Sequence, residues 1–130
     1  MSRVFQGRVL VVDDDPLIRR IFERALERLG VDATIVADGD AAVAAAEGAV
    51  FELALVDLDL GAGARGVDVV ERLRKAQGAP QTFVCISGSV LASTAVPAGA
   101  FAGFERKPAT IDEMGALLSR WNGPHEPSYD

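Results

Sequence analysis

The chain has 130 residues, of which 49% are hydrophobic, with a single cysteine and a formal net charge of −6. That length and apolar content suit one domain with its own core, and they exclude a second globular unit, a disulfide framework and a cysteine-built zinc site. No run of about 18 apolar residues occurs and residues 1–8 lack the apolar stretch of a secretory signal, so a cytoplasmic chain without a membrane association is expected, and its acidic surface opposes direct contact with nucleic acid.

Arg8-Val9-Leu10-Val11-Val12 is a continuous β-branched run, the pattern of a parallel strand covered on both faces. It ends in Asp13, Asp14 and Asp15. Asp15-Pro16 then reads as a helix start, with Asp15 as N-cap and Pro16 at the first helical position, where its missing N–H costs nothing. Leu17, Ile18, Ile21, Phe22, Ala25, Leu26 and Leu29 recur at helical spacing until Gly30. Arg19, Arg20, Arg24 and Arg28 form a basic patch on the other face, interleaved with Glu23 and Glu27.

The alternation continues. Residues 33–36 make a second strand, and the alanine-rich segment from Asp40 to Glu47 a second helix of little bulk. Residues 52–57 make a third, fully buried strand that finishes on Asp57. A glycine-rich loop over 61–66 precedes a helix with Val67, Val70 and Leu73 on one face. Residues 82–86 form a fourth strand ending at Ser87, and Cys85 within it reads as a buried structural thiol. Pro97 and Gly99 interrupt the stretch from Val90 to Ala100, which predicts only a short or irregular fourth helix. A brief fifth strand over 103–105 leads to Lys107-Pro108. Thr110 and Glu113 then stand at capping-box spacing before a last helix carrying Ile111, Met114, Leu117, Leu118 and Trp121. The domain is expected to span residues 1–123, with 124–130 a disordered tail.

Parallel strands need crossover helices, so this alternation predicts an α/β fold: a flavodoxin-like (βα)5 three-layer sandwich with sheet order 2-1-3-4-5. In such a sheet, ligands sit beyond the carboxyl ends of the strands at the switch point between strands 1 and 3. Asp13, Asp14 and Asp57 lie at those ends. Three carboxylates at one rim repel each other unless a cation joins them, and a set of hard oxygens with no His or Cys favours Mg²⁺. Ser87 and Lys107 complete a ring of polar groups from four strands. Such a ring can stabilise a phosphoryl group on Asp57: the cation, the Lys107 ammonium and the Ser87 hydroxyl would each take one oxygen.

With Val-Leu-Val-Val-Asp13-Asp14-Asp15-Pro16, Leu-Ala-Leu-Val-Asp57, Ile86-Ser87-Gly88 and Lys107-Pro108 in this order, the chain resembles the receiver domains of two-component response regulators from Val9 to Trp121. The resemblance implies that Asp57 is the phosphoacceptor, taking a phosphoryl group from a histidine kinase or histidine phosphotransfer protein in a phosphorelay. It implies that Asp14 binds Mg²⁺ directly, Asp13 largely through water, and Asp59 through its backbone carbonyl, beside Asp57 itself. It further implies that Ser87 is the switch hydroxyl and Phe104 the switch aromatic, that helix 1 docks the phosphoryl donor, and that the chain is a monomer or weak dimer. With no effector domain in the chain, the signal would leave through the receiver surface to a downstream protein. Such a domain is not an enzyme beyond self-catalysed phosphoryl transfer and autodephosphorylation. Three departures stand out: the loop after Asp57 lacks the family's Pro-Gly-Met-Asp-Gly pattern, Gly66 falls one position late, and Gly88 replaces an alanine.

Two other readings compete. Val56-Asp57-Leu58-Asp59 is similar to the Asp-x-Asp strand end of haloacid-dehalogenase-type phosphatases, although those carry it on their first strand. A receiver-like binding module that is never phosphorylated is the second.

Overall fold

The computed structural model describes residues 5–61, 65–76, 79–80, 82–88 and 99–122. Among them, five strands and four helices follow in the order β1 (Arg8–Val12), α1 (Pro16–Arg28), β2 (Asp32–Val36), α2 (Gly39–Gly48), β3 (Leu53–Asp57), α3 (Gly66–Arg74), β4 (Thr82–Ser87), β5 (Gly103–Arg106) and α4 (Ile111–Arg120). Every strand pair is parallel and the order is β2-β1-β3-β4-β5, the flavodoxin-like sheet expected. The expected irregular helix between Val90 and Ala100 falls, apart from Gly99 and Ala100, outside the described residues, as do the domain limit at residue 123 and the tail.

Period-two alternation in the strands feeds two cores. Val9, Val11, Leu53, Leu55, Val84 and Ile86 meet Phe22 and Leu26 of α1 and Met114, Leu117 and Leu118 of α4. Leu10, Val12, Ala54, Val56, Phe83 and Cys85 meet Ala42 and Ala46 of α2 and Val69, Val70 and Leu73 of α3. β1 beyond Arg8 and all of β3 are buried throughout, which is why they read as unbroken apolar runs. Each fully buried leucine or phenylalanine contributes about 1.5–3 kcal/mol relative to exposure, so the sheet is held from both sides.

The helix ends follow local chemistry. Asp15 accepts the Leu17 N–H at 2.9 Å, with Pro16 at the first position of α1. Gly30, at φ +71°, lets the Val31 N–H reach back to the Leu26 carbonyl at 3.0 Å and so closes α1. Thr110 accepts the Glu113 N–H at 3.1 Å, while Glu113 in return accepts the N–H of Ala109 at 2.9 Å rather than that of Thr110, one residue upstream of a standard capping box. In α3 the buried stripe is Gly66, Val69, Val70 and Leu73 rather than the expected Val67, Val70 and Leu73. Because the helix begins at Gly66, the 3.6-residue period places Val69 inward and Val67 on the shoulder.

One corner ties the last helix to the edge strand. Arg120 grips Glu105 with two nitrogens, at 3.0 and 2.7 Å, and Trp121 Nε1 donates to the same carboxylate at 2.8 Å. The indole ring lies over Gly103 so closely that a Cβ there would overlap it. No helix among the described residues is long and apolar enough to cross a membrane.

Candidate functional site

β1 and β3 are neighbours, with Val12 opposite Val56, so the residues that follow them, Asp13 and Asp57, emerge at the same rim. β4 adds Ser87 beside them, and the Lys107 N–H donates to the Ser87 carbonyl at 2.9 Å, carrying the β4–β5 ladder one step further. The structure therefore brings together Asp13, Asp14, Asp57, Ser87 and Lys107 as the strand order requires. Carboxylate oxygens of Asp13, Asp14 and Asp57 lie within 4.8 Å of one another. Beside them opens a cleft of about 570 Å³ lined by Asp14, Asp15, Pro16, Asp57, Asp59, Gly61, Ser87, Gly88 and Lys107.

Lys107 Nζ stands 3.0 Å from Asp57 Oδ2 and 3.0 Å from Asp13 Oδ2. Asp57 is 4% exposed and Asp13 is fully buried. The Asp13 Oδ2 atom has this charge contact but no hydrogen bond, an unusual position for a buried carboxylate oxygen. Burial raises the Asp57 carboxyl above its ordinary 3.8, assisted by the Asp13 charge and only partly resisted by Lys107. Burial works against the Lys107 ammonium as well, but its hydrogen bond to Asp57 and the negative charges of Asp13 and Asp57 outweigh it and hold its pKa above 10.5. One ammonium faces three carboxylates, so two remain uncompensated. Hard, clustered oxygens with excess negative charge, one of them buried without a hydrogen bond, fit a divalent cation of the Mg²⁺ type.

The loop after Asp57 is built around that carboxylate. The Asp59 N–H points to Asp57 Oδ1 at 3.4 Å, and Asp59 Oδ1 accepts the Gly61 N–H at 3.1 Å. Asp59 pairs with Arg65 across the loop, and the Gly66 N–H donates to the Leu58 carbonyl at 2.8 Å. Leu60 is 7% exposed and packs into the α2–α3 core. Gly61, at φ +73°, sits beside the Asp14 carboxylate, where a Cβ would stand 2.6 Å from Oδ2. The sequence does not single out Gly61, because a glycine-rich loop does not reveal which glycine must approach a carboxylate.

One other expectation meets a different geometry. Of the basic patch on α1, Arg19 does not face outward with Arg20, Arg24 and Arg28: it is half-buried and donates from its guanidinium to the Asp13 carbonyl at 3.0 Å. Phe104 is 43% exposed and outside the cleft lining, in edge-to-face contact with Phe101 at 5.8 Å between ring centroids. Cys85 is the buried thiol expected, pushed up to about 11 by burial first and by the Asp57 charge second.

A doubly wound parallel sheet with acidic strand tips and a lysine poised over them has the fold and the rim of a receiver domain. The chain belongs to the response regulator receiver domain family, whose model matches residues 9–119. The transcriptional regulatory protein TcrA of Mycobacterium tuberculosis is 34% identical over 118 residues, 90% of this chain and 46% of TcrA, so the chain spans about half the length of that relative. A CheY-like receiver domain from Methylobacillus flagellatus superposes with a TM-score of 0.71 at 25% identity, over 88% of this chain and 98% of its own. The receiver domain of a sensor histidine kinase from Pseudomonas aeruginosa, solved with magnesium in its active site cleft, shares the fold with a TM-score of 0.72 at 24% identity, over 88% of this chain and 96% of its own.

Proposed function

We propose that this receiver accepts a phosphoryl group on Asp57 from the phosphohistidine of a kinase or phosphotransfer protein, and signals to a protein partner by a change at its surface. The observation that carries this reading is the contact of Lys107 Nζ with Asp57 Oδ2 at 3.0 Å, in a cleft that also presents Asp14 and Ser87. An Asp57 carboxylate oxygen attacks phosphorus, forming an O–P bond as the donor's N–P bond breaks and the imidazole leaves with the electron pair. Burial makes this carboxylate more basic than an exposed aspartate, which favours attack. The Lys107 ammonium lies where negative charge builds up, and the Ser87 hydroxyl lines the same cleft, able to donate to a second phosphoryl oxygen.

Asp14, Asp57 and the loop at Asp59 would hold Mg²⁺, with Asp13 behind them. When bound, the ion supplies charge neutralisation at the phosphoryl oxygens. The acidic surface, net −6, supports an output through protein contacts rather than through nucleic acid. Arg20, Arg24 and Arg28 support a docking face for an acidic donor. Incubation with phosphoramidate and Mg²⁺ followed by intact-mass measurement should add one phosphoryl group to the wild type and none to Asp57→Ala. A gain in the variant would remove Asp57 from this role, and no gain in the wild type would leave a binding module that keeps only the fold.

A further inference from the structure

Asp13 has four polar atoms, and each is met by a different part of the molecule. Its N–H donates to the Val36 carbonyl at 3.1 Å, prolonging the β1–β2 ladder. Its Oδ1 accepts the Asp15 N–H at 3.0 Å, and its Oδ2 faces Lys107 Nζ at 3.0 Å. Its carbonyl oxygen accepts from Arg19 at 3.0 Å, a side chain that leaves the first turn of α1 and folds back over the rim. Among the described residues no carboxylate forms an ion pair with Arg19, so its guanidinium is committed to a main-chain oxygen.

We infer that Arg19 is a positioning residue for the cation site, acting through the Asp13–Asp14 peptide. The inference rests on the phosphoacceptor reading only in needing these aspartates to hold the ion. A peptide unit is planar, so holding the Asp13 carbonyl also sets the Asp14 nitrogen and α-carbon, the point from which the Asp14 side chain leaves the backbone. Asp14 is exposed and lies among like charges that push it away from Asp13 and Asp57. The Arg19 contact opposes that drift and brings a positive charge to the outer side of the cluster, without itself entering the cleft. The neighbouring Arg20 is exposed and makes no such contact.

The test is calorimetric titration with Mg²⁺ alone of the wild type, Arg19→Met, Arg19→Lys and Arg20→Met. Methionine keeps much of the aliphatic stem and removes every donor. The expected result is a Kd raised about tenfold in Arg19→Met, the size usual when a group that orients a metal ligand is lost, with most of the affinity recovered in Arg19→Lys and none lost in Arg20→Met. Equal affinity in Arg19→Met and wild type would overturn the inference, as would an equal loss in Arg20→Met, which would trace the effect to helix charge. Phosphoramidate labelling of the same samples separates the two readings. Wild type that binds Mg²⁺ but gains no phosphoryl group defeats the phosphoacceptor role and leaves Arg19 to be judged by Kd. Wild type that binds no Mg²⁺ defeats the positioning role as well.

Discussion

The backbone of Gly66 lies against the main-chain carbonyl of Asp57 so closely that no side chain fits between them. The first residue of α3 is thus a spacer whose absence of a Cβ lets the chain return to the foot of β3, and the Gly66 N–H bond to Leu58 holds it there.

Gly66→Ala should therefore be costly, because the atoms it would strike belong to backbone that cannot rotate away. A loss of about 1–3 kcal/mol in urea unfolding is expected, the range for overpacked sites, together with slower labelling of Asp57 by phosphoramidate as its carbonyl shifts. The same substitution at Gly48, where nothing lies within 4 Å of the added carbon, provides the comparison. If the two variants unfold at the same urea concentration, the contact is without consequence.

Asp57 strains the fold that carries it. Its folded-state pKa is raised above 3.8, so the folded chain binds that proton more tightly than the unfolded chain. Its contribution to stability is complete below pH 3.8 and is lost as pH rises through the folded value. Without divalent ions, Asp57→Asn should melt higher than wild type at pH 7 by about 1 kcal/mol of stability, and the gap should close as the pH approaches 3.8. Thermal melts across that range decide it; a variant that is less stable at pH 7 would mean the Lys107 contact outweighs burial. Added Mg²⁺ should narrow the gap by stabilising the wild type alone.

Glu105 has the opposite sign. Burial would raise its pKa, but hydrogen bonds from Arg120 and Trp121 prevail and hold it below 4.5. The stability it adds is present above pH 4.5 and disappears as pH falls through the lowered folded value. Glu105→Gln should cost about 1–2 kcal/mol at pH 7, the scale of hydrogen bonds to a charged group, and progressively less toward acid. A pH-independent difference between the two melting curves would assign the effect to packing instead of charge.

Much of this architecture is legible from residue order. The apolar runs at β1 and β3 announce a two-sided sheet because both faces are covered, and Asp15-Pro16 and Thr110 announce helix starts because capping is local chemistry. The gathering of Asp13, Asp57, Ser87 and Lys107 follows once the strand order is assumed, since each ends or follows a strand at the same edge. What remained hidden depends on distances across the chain. Arg19 reads as one more surface cation because nothing local shows that its guanidinium reaches back six residues to a carbonyl. Gly61 and Gly66 read as loop punctuation, although their neighbours are a carboxylate and a carbonyl. The Glu105–Arg120–Trp121 corner joins residues 15 and 16 positions apart through a strand and a helix, and no periodicity encodes it.

That corner also equips the domain with a reporter. The chain's single tryptophan is fastened by its ring nitrogen to the strand that runs directly into Lys107. Tryptophan emission from this chain therefore comes from one indole at one address, and a displacement of β5 when the rim is loaded registers as a change in colour or intensity without any dye attached.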